Sequence, residues 1–274
     1  MPSYVITGAS RGLGREFVNQ LSQSPDNTVF GLVRNKKTAD KLVALGRRNV
    51  HILEANITDV KALKAAAQEV SKVTGGSLDV LINNAALYDE ERNALNLDGY
   101  PEDREDLLEQ DLLKHFHTNV IGVIHTTNAF LPLLRSGSGS VNNNNKQVIT
   151  ISSGVGDIPF TLSTGNRSGA PYSISKAAVN LAVAKYAAEY KDQGILFLAI
   201  SPGMVSTKEW LDQPTEEELK KFEDMVVSFR KAYPDFAGPI SPEESVKAVL
   251  GVIDKATIED TGAFISHKGN QEWL

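Results

Sequence analysis

Residues 4–17 read YVITGASRGLGREF, and the fold turns on how this stretch is read. Tyr4-Val5-Ile6 is a short apolar run that suits a buried strand, and residues 16–21 begin a helical pattern. Between them stand Gly8, Gly12 and Gly14, with no acidic side chain in the turn. A strand, a glycine-rich turn and a helix N-terminus gather backbone N–H groups at one point, where they can meet an anionic diphosphate. Gly8 can take the positive φ of a tight turn, while Gly12 and Gly14 leave no side chain between backbone and phosphate. Ser10, Arg11 and Leu13 complete the candidate cradle.

Further apolar runs lie at 28–33, 50–55, 78–83, 147–152, 195–201 and 262–266. Helical patterns alternate with them at 14–23, 58–73, 105–134, 172–190 and 242–255. The strand runs are rich in Val, Ile and Leu without polar alternation, so both faces of the sheet must be covered. Strict alternation of this kind implies a doubly wound α/β (Rossmann) fold: seven parallel strands with helices on both faces.

The chain has 274 residues with 41% hydrophobic content, which fits one domain over 1–274 with an insertion at about 203–240. In that insertion Leu219, Phe222, Met225, Val226 and Phe229 form an apolar stripe behind a capping box that starts at Thr215. With Met204, Trp210, Leu211, Leu87, Tyr88, Ile158 and Phe160, the stripe either closes an apolar substrate pocket as a lid or packs the helix onto the body. A net charge of −6 argues against nucleic acid as partner. The absence of cysteine excludes disulfides and thiolate chemistry. No apolar run approaches the roughly 20 residues of a membrane span, and the expectation is a soluble, cytoplasmic protein. His115 and His117 fall on different helix faces with no third ligand, so no metal site is expected.

In dinucleotide-binding units an acid at the end of the second strand holds the adenosine ribose diol. Here that strand ends in Arg34-Asn35-Lys36-Lys37, with no acid beside it in sequence. A guanidinium can grip a 2′-phosphate in bidentate fashion where a carboxylate would repel it. Arg11 adds a second cation at the same end. The reading is a preference for NADP(H) over NAD(H).

Thr7-Gly8-x-x-x-Gly12-x-Gly14, then Asn83-Asn84-Ala85-Ala86, Tyr172-x-x-x-Lys176 and Pro202-Gly203 together resemble the single-domain short-chain dehydrogenase/reductase family over nearly the whole chain. Within it the chain looks most like the carbonyl-reductase, sniffer-like or fungal ketoreductase branch. The resemblance implies an NADPH-dependent reductase acting on a ketone or aldehyde, an apolar small-molecule carbonyl or alcohol. It implies that Tyr172 donates the proton, that Lys176 acts electrostatically and holds the nicotinamide ribose, and that Ser153 orients the carbonyl. Tyr172 and Lys176 lie one helical turn apart, and the ammonium is expected to draw the phenol pKa down toward neutrality. Ser152 adjoins Ser153, and the Ser-Ser-x-x-Gly ending selects Ser153.

By the same resemblance Asn119 is the fourth catalytic position, kinking its helix and holding a water. Asn83 should stitch the sheet, Asn84, Ala85, Asn56 and Ile57 should line the adenosine side, and Pro202, Gly203, Val205 and Thr207 the nicotinamide side. The 19 positions from Ser153 to Tyr172 exceed the usual spacing, and a hairpin or loop over the substrate entrance is expected there. Helices 105–134 and 171–190 carry apolar and small residues in excess of one sheet face, which points to a homodimer or homotetramer. The apolar 272–274 should cover a neighbouring subunit or the chain's own lid. A non-catalytic NADP(H) sensor and an isomerase or cyclase without net redox remain the competing readings.

Overall fold

A computed structural model describes the chain apart from residues 89–91, 93–94, 138–145 and 207–215 and the side chains of 105, 216–219, 221–222 and 224–225. Seven strands form one parallel sheet: β1 (Ser3–Thr7), β2 (Thr28–Val33), β3 (Val50–Glu54), β4 (Val80–Asn83), β5 (Lys146–Ile151), β6 (Ile195–Ser201) and β7 (Phe264–Ser266), in the order β3-β2-β1-β4-β5-β6-β7. The order reverses between β1 and β4, and the crevice beyond their C-terminal ends is where open α/β sheets bind ligands.

The strand period of two separates the cores. Tyr4 and Ile6 turn to one face with α1 (Gly12–Leu21) and α9 (Pro242–Lys255), where Phe17, Val18, Val246, Val249 and Ile253 are buried. Val5 turns to the other with α3 (Val60–Thr74), α5 (Gly122–Ser136) and α7 (Ala170–Tyr190), against Leu63, Val70, Phe130, Leu134 and Val183. Each such side chain, fully buried, stabilises the fold by about 1.5–3 kcal/mol before entropy is charged against it. A short α2 (Asp40–Val43) follows β2.

The expected capping box at Ser241 forms as read. Ser241 Oγ accepts from the Glu244 N–H at 3.1 Å, and Glu244 Oε2 accepts from the Ser241 N–H at 2.9 Å. The one at Thr215 lies outside the described residues.

The helix read over 105–134 runs through α4 (Glu105–Phe116), a π-turn (His117–Ile121) at Asn119 and α5 without a break. One expectation is corrected: the stretch expected as a hairpin or loop contains α6 (Ile158–Thr164). Its signals are local: Asp157 caps the first turn by accepting from the Phe160 N–H at 2.9 Å, Pro159 sits in that turn, and Gly165 ends it at φ +64°.

The insertion closes on itself. Val205 bridges Ile240, with hydrogen bonds from the Ser206 N–H to Ile240 O and from the Ile240 N–H to Met204 O. Its helix α8 (Glu216–Ala232) packs Phe229 and Val226 onto Phe160, Phe236 and Trp273. That part of the stripe packs the helix onto the body; Trp210 and Leu211, and the side chains of Leu219, Phe222 and Met225, lie outside the described residues. Trp273 of the apolar 272–274 packs back on its own chain: it is buried among Phe160, Phe229 and Phe236 and stacks on Phe264 with ring centres 4.3 Å apart.

Candidate active site

The glycine turn and the β4 exit are built as one unit. Thr7 Oγ1 accepts from the N–H groups of Asn84 and Ala85, both at 3.0 Å, and Asn84 Nδ2 donates to Thr7 O at 2.9 Å. Gly8 (φ +68°) and Gly12 (φ +54°) take the conformation that other residues avoid. Gly14 has a packing reason beside the one read in sequence: a Cβ there would stand 2.3 Å from Gly8 O and 2.5 Å from Asn84 Nδ2, so its lack of a side chain lets α1 close on the turn. Leu13 packs its side chain against the core, so the cradle has the backbone of this residue, together with Ser10 and Arg11 on the open side.

The residues read for the adenosine end lie at the exits of β2 and β3. Arg34 is exposed there, as is Arg11 at the N-terminus of α1. The tertiary fold also brings an acid, Glu54, whose Oε2 accepts from the Lys36 N–H at 3.0 Å. The reading that no acid is near Arg34 holds only along the chain. Asn56 is exposed, with its Oδ1 accepting from the Thr58 N–H, while Ile57 is buried against Gly122. Asn83 stitches the sheet to a helix, donating to Thr127 Oγ1 of α5 at 3.0 Å.

Ser152 and Ser153 separate at the end of β5 as successive extended residues must. Ser152 is buried and its hydroxyl donates to Asn180 Oδ1 of α7 at 2.6 Å. Ser153 faces the other way and stands close enough to the Tyr172 phenol to oppose the rise in its pKa. Its loop lies tight on α7, because a Cβ on Gly156 would be 2.9 Å from the Ala177 nitrogen. Lys176, one turn beyond Tyr172, is buried; its Nζ donates to Ile151 O at 2.8 Å and stands 5.5 Å from the centre of the Tyr172 ring.

Burial pushes the Tyr172 phenol well above its ordinary value; the neighbouring Tyr88 adds to that, and Ser153 opposes it. Burial pulls Lys176 down from 10.5 to about 8. Desolvation thus acts on the phenol in the direction opposite to the lowering expected from the ammonium, which points to a backbone carbonyl. A phenol held protonated is the form that can give a proton away.

Asn119 sits in the π-turn, where an extra residue bulges the helix. Its Nδ2 donates to Leu87 O (3.0 Å) and to Ser175 Oγ (2.9 Å), and its Oδ1 accepts from the Leu87 N–H (2.7 Å). Ser175 Oγ donates to Tyr172 O at 2.6 Å, so the amide fixes the backbone that carries the phenol. With both its amide hydrogens engaged, a water at Asn119 would have to donate to Oδ1. Behind Tyr172 lies buried His115, edge-on at 6.4 Å, with Nδ1 2.7 Å from Asp111 O.

At the exit of β6, Pro202 O accepts from Ser245 Oγ at 2.7 Å and Gly203 takes φ +82° against the His267 ring. Val205 follows in the bridge to Ile240, and Thr207 lies outside the described residues. The contributions of Ser175 and Glu54 were not read from sequence, although Ser175 lies inside Tyr-x-x-x-Lys; His115 was read only as a residue outside any metal site.

A family model described as short chain dehydrogenase matches residues 3–218. The chain is 47% identical over 279 residues to the short chain dehydrogenase virK of Hypocrea virens, covering 100% of both. It is 45% identical over 282 residues to the short-chain dehydrogenase/reductase AacuF of Aspergillus aculeatus, again covering 100% of both. Among solved structures, NADPH-bound carbonyl reductase from chicken fatty liver superposes with a TM-score of 0.78 at 28% identity, covering 98% of each chain.

Proposed function

Because the chain belongs to the short-chain dehydrogenase family, we propose that it is an NADPH-dependent reductase that turns a ketone or aldehyde into an alcohol. The observation that carries this reading is the convergence of the Ser153 hydroxyl, the protonated Tyr172 phenol and the buried Lys176 ammonium beside the crevice of the sheet. The nicotinamide cofactor, when bound, supplies the hydride.

Gly8, Ser10, Arg11, Gly12 and the backbone of Leu13 would hold its diphosphate, and Asn84, Ala85, Asn56 and Ile57 would line its adenosine side. Arg34, with Arg11, would take the 2′-phosphate; both are exposed, and the similar chicken-liver reductase carries NADPH. Pro202, Gly203, Val205 and Thr207 would bound the nicotinamide end, with Lys176 on the ribose. Ser153 donates a hydrogen bond to the substrate oxygen as negative charge grows there. Tyr172 gives that oxygen its proton, and the phenolate left behind is stabilised by the Lys176 ammonium. The insertion over 203–240 acts as the substrate lid.

NADPH consumption across a panel of ketones and aldehydes tests the reading, with Tyr172→Phe as control. Tight cofactor binding with no carbonyl turned over would favour a sensor, and substrate conversion without NADPH consumption an isomerase or cyclase.

The outer faces of α4 and α7 support a homo-oligomer. Leu113, Phe116, Ile174 and Leu181 are exposed, and a groove of about 190 Å³ runs between Leu112, Phe116 and Ile174. A second copy placing the same helices there would cover this face. Light scattering of wild type against Leu113→Glu reads it out.

A further inference from the structure

Tyr88 is large and aromatic yet 48% exposed, and its ring stands edge-on to that of Tyr172, centres 5.1 Å apart at 82°. Leu87 and Arg92, on either side of Tyr88 in sequence, are both anchored to the helical segment behind it. Leu87 is gripped through its N–H and its carbonyl by Asn119. Four residues beyond Tyr88, Arg92 makes a two-pronged ion pair with Asp111 of α4, Nε to Oδ2 and Nη2 to Oδ1, both 2.7 Å. Asp111 is 1% exposed and also accepts from the Tyr100 hydroxyl at 3.1 Å. Breaking a buried pair of this kind is strongly destabilising, so Arg92 is held firmly on α4. Both anchors, Asn119 and Asp111, lie on the helical segment that backs Tyr172. The phenol and the aromatic ring beside it are thus fixed to one frame.

We propose that Tyr88 is a specificity-determining residue: its ring forms a rigid aromatic wall beside the reacting phenol, held by the Asn119 and Arg92–Asp111 anchors, and selects flat, π-faced carbonyl substrates, aryl ketones and aldehydes, over saturated ones. The inference rests on the reductase reading and names the substrate class for that site. A carbonyl oxygen at the Tyr172 hydroxyl has its substituents next to the Tyr88 ring. A flat aromatic substituent gains ring–ring contact there, whereas a puckered saturated ring of the same carbon skeleton gains only area.

The test is the ratio of kcat/KM for acetophenone to that for cyclohexyl methyl ketone, compared between wild type and variants so that intrinsic ketone reactivity cancels. Tyr88→Leu should lower this ratio roughly 2- to 12-fold, mainly through KM, while Tyr88→Phe keeps it. Arg92→Gln should shift it in the same direction as Tyr88→Leu with Tyr88 intact. A ratio that Tyr88→Leu leaves unchanged overturns the proposal. If wild type reduces neither ketone, the reductase reading has failed, and the wall is judged from the ratio of dissociation constants of the two ketones on NADP-loaded protein. Tyr88→Leu must change that ratio by the same factor, or the wall is wrong as well.

Discussion

The Lys176 ammonium donates its hydrogen bond to the carbonyl oxygen of Ile151, 2.8 Å away, not to the phenol one turn before it. A charge buried at the end of β5 with one backbone partner is only partly compensated, which is why its pKa falls to about 8. Below that pH the folded and unfolded chains both carry the charge, and its burial costs the fold about 3 kcal/mol. Between about 8 and 10.5 only the unfolded lysine keeps its proton, so the cost is relieved and stability rises with pH. Above the ordinary tyrosine value of 10.0 the trend reverses. Tyr4, raised to about 12, and Tyr172 stay protonated in the fold while their unfolded counterparts ionise. Urea unfolding of the cofactor-free protein across this range should show the rise in wild type and its absence in Lys176→Met.

The same titration should appear in catalysis. Reduction needs a protonated Tyr172, which survives to high pH, and a charged Lys176, which does not. The pH profile of kcat/KM with NADPH should fall on a single limb near pH 8. In Lys176→Arg the limb should move up, since arginine does not titrate there; a limb that stays near 8 assigns it to another group.

Tyr172→Phe removes the proton donor and should lower kcat by roughly 10²- to 10⁴-fold with little change in cofactor affinity. Ser153→Ala should cost roughly 10²- to 10³-fold, the range seen when one donor to a developing oxyanion is lost. Ser152→Ala, on the Asn180 side, should leave kcat near wild type and act on stability. Single-turnover hydride transfer to one good ketone separates the three.

Arg34→Ala should weaken NADPH binding roughly 10- to 100-fold, as expected for loss of charge-assisted hydrogen bonds to a phosphate, and leave NADH binding nearly unchanged. Glu54→Gln probes the acid the fold brings to that end. If it faces the ribose, NADH affinity should drop while NADPH affinity holds or rises. Titration of both cofactors into each variant gives the answer, and equal losses for the two in Arg34→Ala defeat the 2′-phosphate assignment.

Trp273 should prove a strut for the serine loop. Its Nε1 donates to Asp157 Oδ2 at 3.2 Å, the oxygen that caps α6, and its Cβ lies where a side chain on Gly154 would stand, 2.6 Å away. Trp273→Ala opens a cavity among Phe160, Phe229 and Phe236 and should cost about 3–5 kcal/mol. Trp273→Phe keeps the stack on Phe264 and should cost less, with kcat near wild type.

Much of this was legible along the chain. The 28–33, 195–201 and 242–255 elements have the bounds read from the residues, because buried parallel strands are written as unbroken apolar runs and α9 begins at a capping box. The short helix at Ile158–Thr164 was written too, as Asp157, Pro159 and Gly165, but seven residues carry too few periods for an apolar pattern to stand out.

Local order alone determined the glycine turn, the alternation of strands and helices, and the helical spacing of Tyr172 and Lys176, since each depends on residues a few positions apart. Where the lysine charge points, how Glu54 arrives near Arg34 and how closely α1 packs on the turn at Gly14 were settled only by packing. Those outcomes depend on groups far apart in sequence and on desolvation, and burial has no value until the chain has closed around the group.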